Sequence, residues 1–72
     1  MPGKYPLLRP AEIITALDKR GFRYKSQRGS HAKYSNGTRK VIIPMHSEVA
    51  RGTLRGILQQ AGIELDDFLT LL

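Results

Sequence analysis

Between Phe22 and Ile43 the apolar residues change their spacing from that of a helix to that of a strand, and the change is undone after Pro44. Ahead of this stretch Ile13, Ile14 and Leu17 share one side of a 3.6-residue repeat, and beyond it Leu54, Ile57, Leu58 and Ala61 do the same. Inside it the period is two. Phe22, Tyr24 and Ser26 alternate with Arg23, Lys25 and Gln27, then Ala32 and Tyr34 with His31 and Lys33, then Val41 and Ile43 with Lys40 and Ile42. That order predicts an α+β domain of two layers: a helix, a three-stranded antiparallel sheet, then two helices.

Local signals give the boundaries. Pro10 is tolerated in a first helical turn and Gly21 supplies a stop, so the first helix spans about residues 10 to 20. Asn36-Gly37 predicts a two-residue type I′ hairpin that pairs Ser35 with Thr38, Lys33 with Lys40 and His31 with Ile42. Ala32, Tyr34, Val41 and Ile43 then face the core, and His31, Lys33 and Lys40 face water. For Phe22 and Tyr24 to join the core face, the preceding loop must hold three residues, Gln27-Arg28-Gly29, with Gly29 left-handed. Tyr24 and Tyr34 are read as core residues. Met45 to Arg51 is a loop, Thr53 caps the next helix and Gly62 ends it. A terminal helix from Glu64 to Leu72 turns Leu65, Phe68, Leu69 and Leu72 inward. No repeat or linker divides the chain, and residues 1–72 are expected to form one domain.

Charge is segregated. Eight of the twelve Lys and Arg residues lie between Lys19 and Lys40, no Asp or Glu occurs from Lys19 through Ser47, and the net charge is +6. A basic surface of this kind favours a polyanion, because neutralising phosphates releases condensed counterions. There is no cysteine, which suits a reducing compartment and excludes a disulfide framework and a thiolate metal site. No apolar run reaches the roughly 20 residues of a spanning helix. The start, Met1-Pro2-Gly3-Lys4-Tyr5, lacks the apolar core of a secretion signal, so a cytoplasmic location is expected. Of the six carboxylates, Glu12, Asp18, Glu64, Asp66 and Asp67 fall on helices predicted to pack behind the sheet, and Glu48 stands alone. A two-metal nuclease needs acids that converge, so no metal and no cofactor are expected. Ser30 beside His31 is not a nucleophile and base, since neighbours on a strand point to opposite faces. Neither a P-loop nor a nucleophile elbow is present.

What remains is imidazole, which takes and gives protons near neutral pH. RNA carries its own nucleophile, the 2′-hydroxyl, so a base beside it and cations around the phosphate suffice for cleavage to a cyclic phosphate. His31 is the candidate base, with Arg28, Lys33 and Lys40 around it and Arg23 and Lys25 adding to the same basic region. Gly29 is a turn residue first and a point of close phosphate approach second. For His46 the residues leave three roles open: second acid or base, phosphate contact, or a brace for its loop. They also leave open two non-catalytic functions, an RNA-binding module and a domain that docks an acidic protein.

The segments Arg28-Gly29-Ser30-His31-Ala32-Lys33-Tyr34, Val41-Ile42-Ile43-Pro44-Met45-His46 and Gly52-Thr53-Leu54-Arg55-Gly56-Ile57-Leu58-Gln59-Gln60-Ala61-Gly62 resemble the HicA (YcfA-like) toxins of prokaryotic toxin–antitoxin modules. The resemblance runs from about Leu17 to Phe68-Leu69. It implies a fold like that of the double-stranded-RNA-binding domain, an mRNA interferase activity, and inhibition by a HicB-like antitoxin protein. It further implies that the histidine of Gly-Ser-His, His31 here, is the catalytic residue. Where the family's first helix often has a Ser or Thr cap, this chain has Arg9.

Overall fold

The computed structural model describes residues 5–72, so the reading of Met1 to Lys4 lies outside the described residues. In chain order the elements are α1 (Pro10–Asp18), β1 (Arg23–Arg28), β2 (His31–Ser35), β3 (Lys40–Pro44), α2 (Arg51–Ala61) and α3 (Leu65–Leu69), the predicted α+β order. The strands form one antiparallel sheet in the order β1-β2-β3.

Helix α1 starts without a side-chain acceptor at Arg9, and the Glu12 carboxylate compensates by accepting the Arg9 backbone N–H at 2.8 Å. It buries Ile13, Ala16 and Leu17. Each of the two larger side chains stabilises the fold by about 1.5–3 kcal/mol relative to exposure. Helix α2 buries Leu54, Ile57, Leu58 and Ala61, as its repeat predicts, and ends at Gly62 through N–H groups of Gly62 and Ile63 on the carbonyls of Gln59 and Leu58. Its start differs from expectation. Ala50 occupies the cap position and Thr53 lies inside the first turn, because the helix begins three residues earlier than a threonine cap would require. There the Arg51 guanidinium donates to the Tyr5 carbonyl at 2.8 Å. Helix α3 buries Leu65 and Phe68 but leaves Leu69 37% and Leu72 52% exposed, so two of the four leucine and phenylalanine positions read as inward are not. One turn of helix has room for only a narrow buried side.

Both hairpins differ in register from the sequence expectation while the predicted core face of β2 and β3 survives. The β2–β3 ladder pairs Ser35 with Lys40, Lys33 with Ile42 and His31 with Pro44, two residues out of the expected register. Since the side-chain period is two, a slip of two changes partners without exchanging faces. Ala32, Val41 and Ile43 are accordingly buried and Tyr34 is partly so. The cause is Asn36. Its Oδ1 accepts the N–H groups of Thr38 at 2.9 Å and Arg39 at 2.7 Å, which fixes Asn36 ahead of the turn and leaves Gly37-Thr38 as the two central residues. Gly37 has φ +95° and among the described residues no non-glycine residue has positive φ, so this is the glycine-first pattern and not type I′. Substituting Asn36 with Ala is expected to cost about 1 kcal/mol by leaving those two N–H groups without their acceptor. A thermal melt should show a Tm lower by about 4–8 °C. An unchanged Tm would mean that the side chain does not set the turn.

The β1–β2 hairpin is also closed by two residues, Gly29-Ser30, with Arg28 paired directly to His31, and not by the expected Gln27-Arg28-Gly29 loop. Gly29 is left-handed at φ +59°, as predicted. A β-bulge between Tyr24 and Ser26, with Lys25 as the extra residue, then restores Tyr24 to the side of its partner Tyr34. Every residue of β1 is exposed, Tyr24 among them at 56%, which corrects its assignment to the core. The bulged edge strand extends past the cover of the helices. On the opposite edge, the Gln60 carboxamide of α2 accepts the Ile42 backbone N–H at 3.1 Å.

Candidate nucleic-acid interface

Three rows of residues cross the sheet face that points away from the core. Arg28, His31 and Pro44 form the first, Ser26, Lys33 and Ile42 the second, and Arg23, Ser35 and Lys40 the third, with Pro44 and Ser35 buried and the others exposed or half-buried. His31 is exposed, with Arg28 as its direct cross-strand neighbour and Lys33 two residues along its own strand. That is closer than the sequence suggested, because Arg28 sits in the ladder beside His31 and not in a turn ahead of it. Lys40 is further away. The observed register moves it from the expected place opposite Lys33 to the third row, four residues or about 13 Å along the sheet from His31.

The cations divide by what holds them. Arg23, at the far end of β1, contacts the Asp18 carboxylate at 2.8 Å and the Asp18 carbonyl at 3.1 Å. Both side chains are exposed, so the pair is worth at most about 1 kcal/mol, but it directs Arg23 toward the end of α1. Among the described residues this is the one ion pair, so Lys25, Arg28, Lys33 and Lys40 have no acidic partner. The other five carboxylates lie on α1, at or within α3, or on the loop before α2, and none is on a strand. Among the described residues no three His, Asp or Glu side chains are grouped to hold a metal ion.

Two hydrogen bonds brace the turn before His31. The Gln27 side-chain amide donates to the Gly29 carbonyl at 3.0 Å, and the Met45 N–H donates to the Ser30 carbonyl. The second bond extends the β2–β3 ladder by one residue on each side. It ties the start of β2 to the segment that carries His46, which therefore leaves the sheet at the same end as His31. His46 itself is exposed in a bend, where strand alternation no longer fixes its direction. Space for a Cβ is open at Gly29, with no atom within 4 Å, so its left-handed backbone and not crowding calls for glycine there.

The arrangement is a shallow cationic face with an imidazole in its first row, suited to an extended polyanion and too open to enclose a small molecule. Sequence reasoning missed one neighbour of that imidazole, Pro44, and set Arg28 in the turn ahead of it rather than directly opposite, because both placements depend on turn register. Among the described residues no helix is long and apolar enough to cross a membrane.

No curated protein matches the chain significantly. The family described as the HicA toxin of bacterial toxin–antitoxin systems matches over residues 10–63, a span that runs from the first residue of α1 through the stop of α2 and includes the whole sheet. The chain belongs to the HicA toxin family, and is the toxin side of a toxin–antitoxin pair.

Proposed function

We propose that the protein is an endoribonuclease, an mRNA interferase acting in the cytoplasm, with His31 as its general base. The observation that carries the reading is the direct pairing of Arg28 with His31 on a sheet face free of acids. The His31 imidazole takes the proton of a ribose 2′-hydroxyl, and the oxygen so activated attacks the adjacent phosphorus. The bond from phosphorus to the 5′-oxygen breaks, and that oxygen leaves with a proton from His46 or from water. Arg28 and Lys33 hold the phosphate and offset the charge that builds on its free oxygens. Arg23, Lys25 and Lys40 contribute the longer-range attraction of the strand, and Gly29 lets a phosphate approach the backbone. The products are a 2′,3′-cyclic phosphate and a 5′-hydroxyl, and DNA, which lacks the attacking hydroxyl, is spared.

The partner in this reading is a HicB-like antitoxin that covers the cationic face. Complementary charge would speed its docking and exclude RNA from the same surface. One cleavage assay tests the whole. Single-stranded RNA should be cut in the presence of chelator, with cyclic phosphate ends, and the cognate antitoxin should stop the reaction. Cleavage that requires a divalent cation, or products with 5′-phosphate ends, would refute the mechanism.

A further inference from the structure

Among the described residues Tyr24 is the large hydrophobic side chain that the fold leaves most exposed, at 56%, and it stands on the side of the sheet opposite His31. Its ring meets that of Tyr34 edge to face, with centroids 5.8 Å apart and planes at 81°. Whichever ring supplies the edge, at least one π face of Tyr24 stays off its neighbour. The bulge at Lys25 lies immediately beside it, a device that re-aims side chains and bends an edge strand. Nothing acidic occurs on β1 or β2, while Lys25 and Arg28 on the same strand are exposed and unpaired among the described residues. An exposed aromatic ring on a strand that also carries unpaired cations is suited to sequence-tolerant single-strand binding: the ring stacks a base while the cations follow the phosphates. A protein partner with an apolar contact would favour Tyr24 without the cations around it.

We infer that Tyr24 is a base-stacking subsite for single-stranded RNA, reached by a strand that passes from His31 across the outer edge of β1. The inference rests on the ribonuclease reading above. Tyr24 lies four residues from Arg28, about 13 Å along the strand, so the stacked base belongs to a nucleotide a few positions from the cleaved bond. Tyr24 then selects for unpaired RNA, because a base held in a duplex cannot be turned onto the ring.

Binding is measured in the His31→Ala background, where the RNA stays intact. Tyr24→Ala should weaken affinity for a single-stranded oligonucleotide about tenfold, the scale of losing one stacked base. Tyr24→Phe should bind as its parent does. The chain has no tryptophan, so Tyr24→Trp is a lone reporter, and its fluorescence should be quenched as RNA saturates the protein. A tryptophan that is not quenched by bound RNA overturns the inference even if the alanine variant is misfolded, and so does unchanged affinity in a folded Tyr24→Ala. Loss of antitoxin binding alone, with RNA affinity intact, overturns it in favour of a protein contact. Should the Tyr24-bearing parent bind no RNA, the ribonuclease reading fails first, and that failure is visible before any Tyr24 variant is made.

Discussion

His31→Ala is expected to lower the rate of RNA cleavage by about a hundred- to ten-thousand-fold, the usual contribution of one well-placed general acid or base. The side chain is exposed and among the described residues no hydrogen bond to it supports the fold, so the variant should keep its circular dichroism spectrum and melting behaviour. Arg28 and Lys33 remain, and with them most of the affinity for single-stranded RNA, since that affinity is carried by phosphate neutralisation. Initial rates and a binding isotherm on the same preparation separate the two quantities. Turnover at the parent rate would remove His31 from the mechanism. A comparable loss of both turnover and affinity would instead make it a binding residue.

The second large effect concerns stability. Phe68 is fully buried, although it lies in a helix of five residues and beyond residue 63, where the family match ends. So short a helix cannot persist by its own backbone hydrogen bonds and is held by what it buries. Phe68→Ala should cost about 3–5 kcal/mol. A domain of this length has a total stability of about 4–11 kcal/mol. The variant should therefore melt more than about 10 °C below the parent, or fail to fold at ordinary temperature. Leu69→Ala, at the neighbouring exposed position, should shift stability by no more than about 0.5 kcal/mol. Equal melting temperatures for the two variants would show that α3 does not belong to the core.

Periodicity carried the architecture because it reports which face is buried, and burial is settled by the whole sheet. Ala32, Val41 and Ile43 are in the core for that reason, even though each faces a different partner from the one expected. Register was less legible. Asn36-Gly37 has the composition of a type I′ turn, but two N–H groups bonded to the Asn36 side chain outweigh that preference and move the turn one residue on. The position of Arg28 beside His31 follows from a similar shift in the first hairpin, compensated by a bulge that no residue near Lys25 announces. Thr53 suggests a cap by its residue type alone, and the helix begins earlier, at Arg51, with no side-chain hydrogen bond at its Ala50 cap. Tyr24 was assigned inward by alternation, which tells a face but not how far the helices extend over it. His31 was legible as a candidate because few other groups in the chain can move a proton near neutral pH, whereas His46 follows the last regular residue of β3 and strand geometry says little about it.

The Gln60 carboxamide has a consequence for how molecules of this protein meet one another. By accepting the Ile42 N–H it removes a donor from the margin of the sheet on which a second chain could otherwise zip. On the other margin, three cations and a kinked backbone discourage the same association. With one border occupied from within and the other repelling its own kind, neither margin of the sheet is a ready template for a further strand.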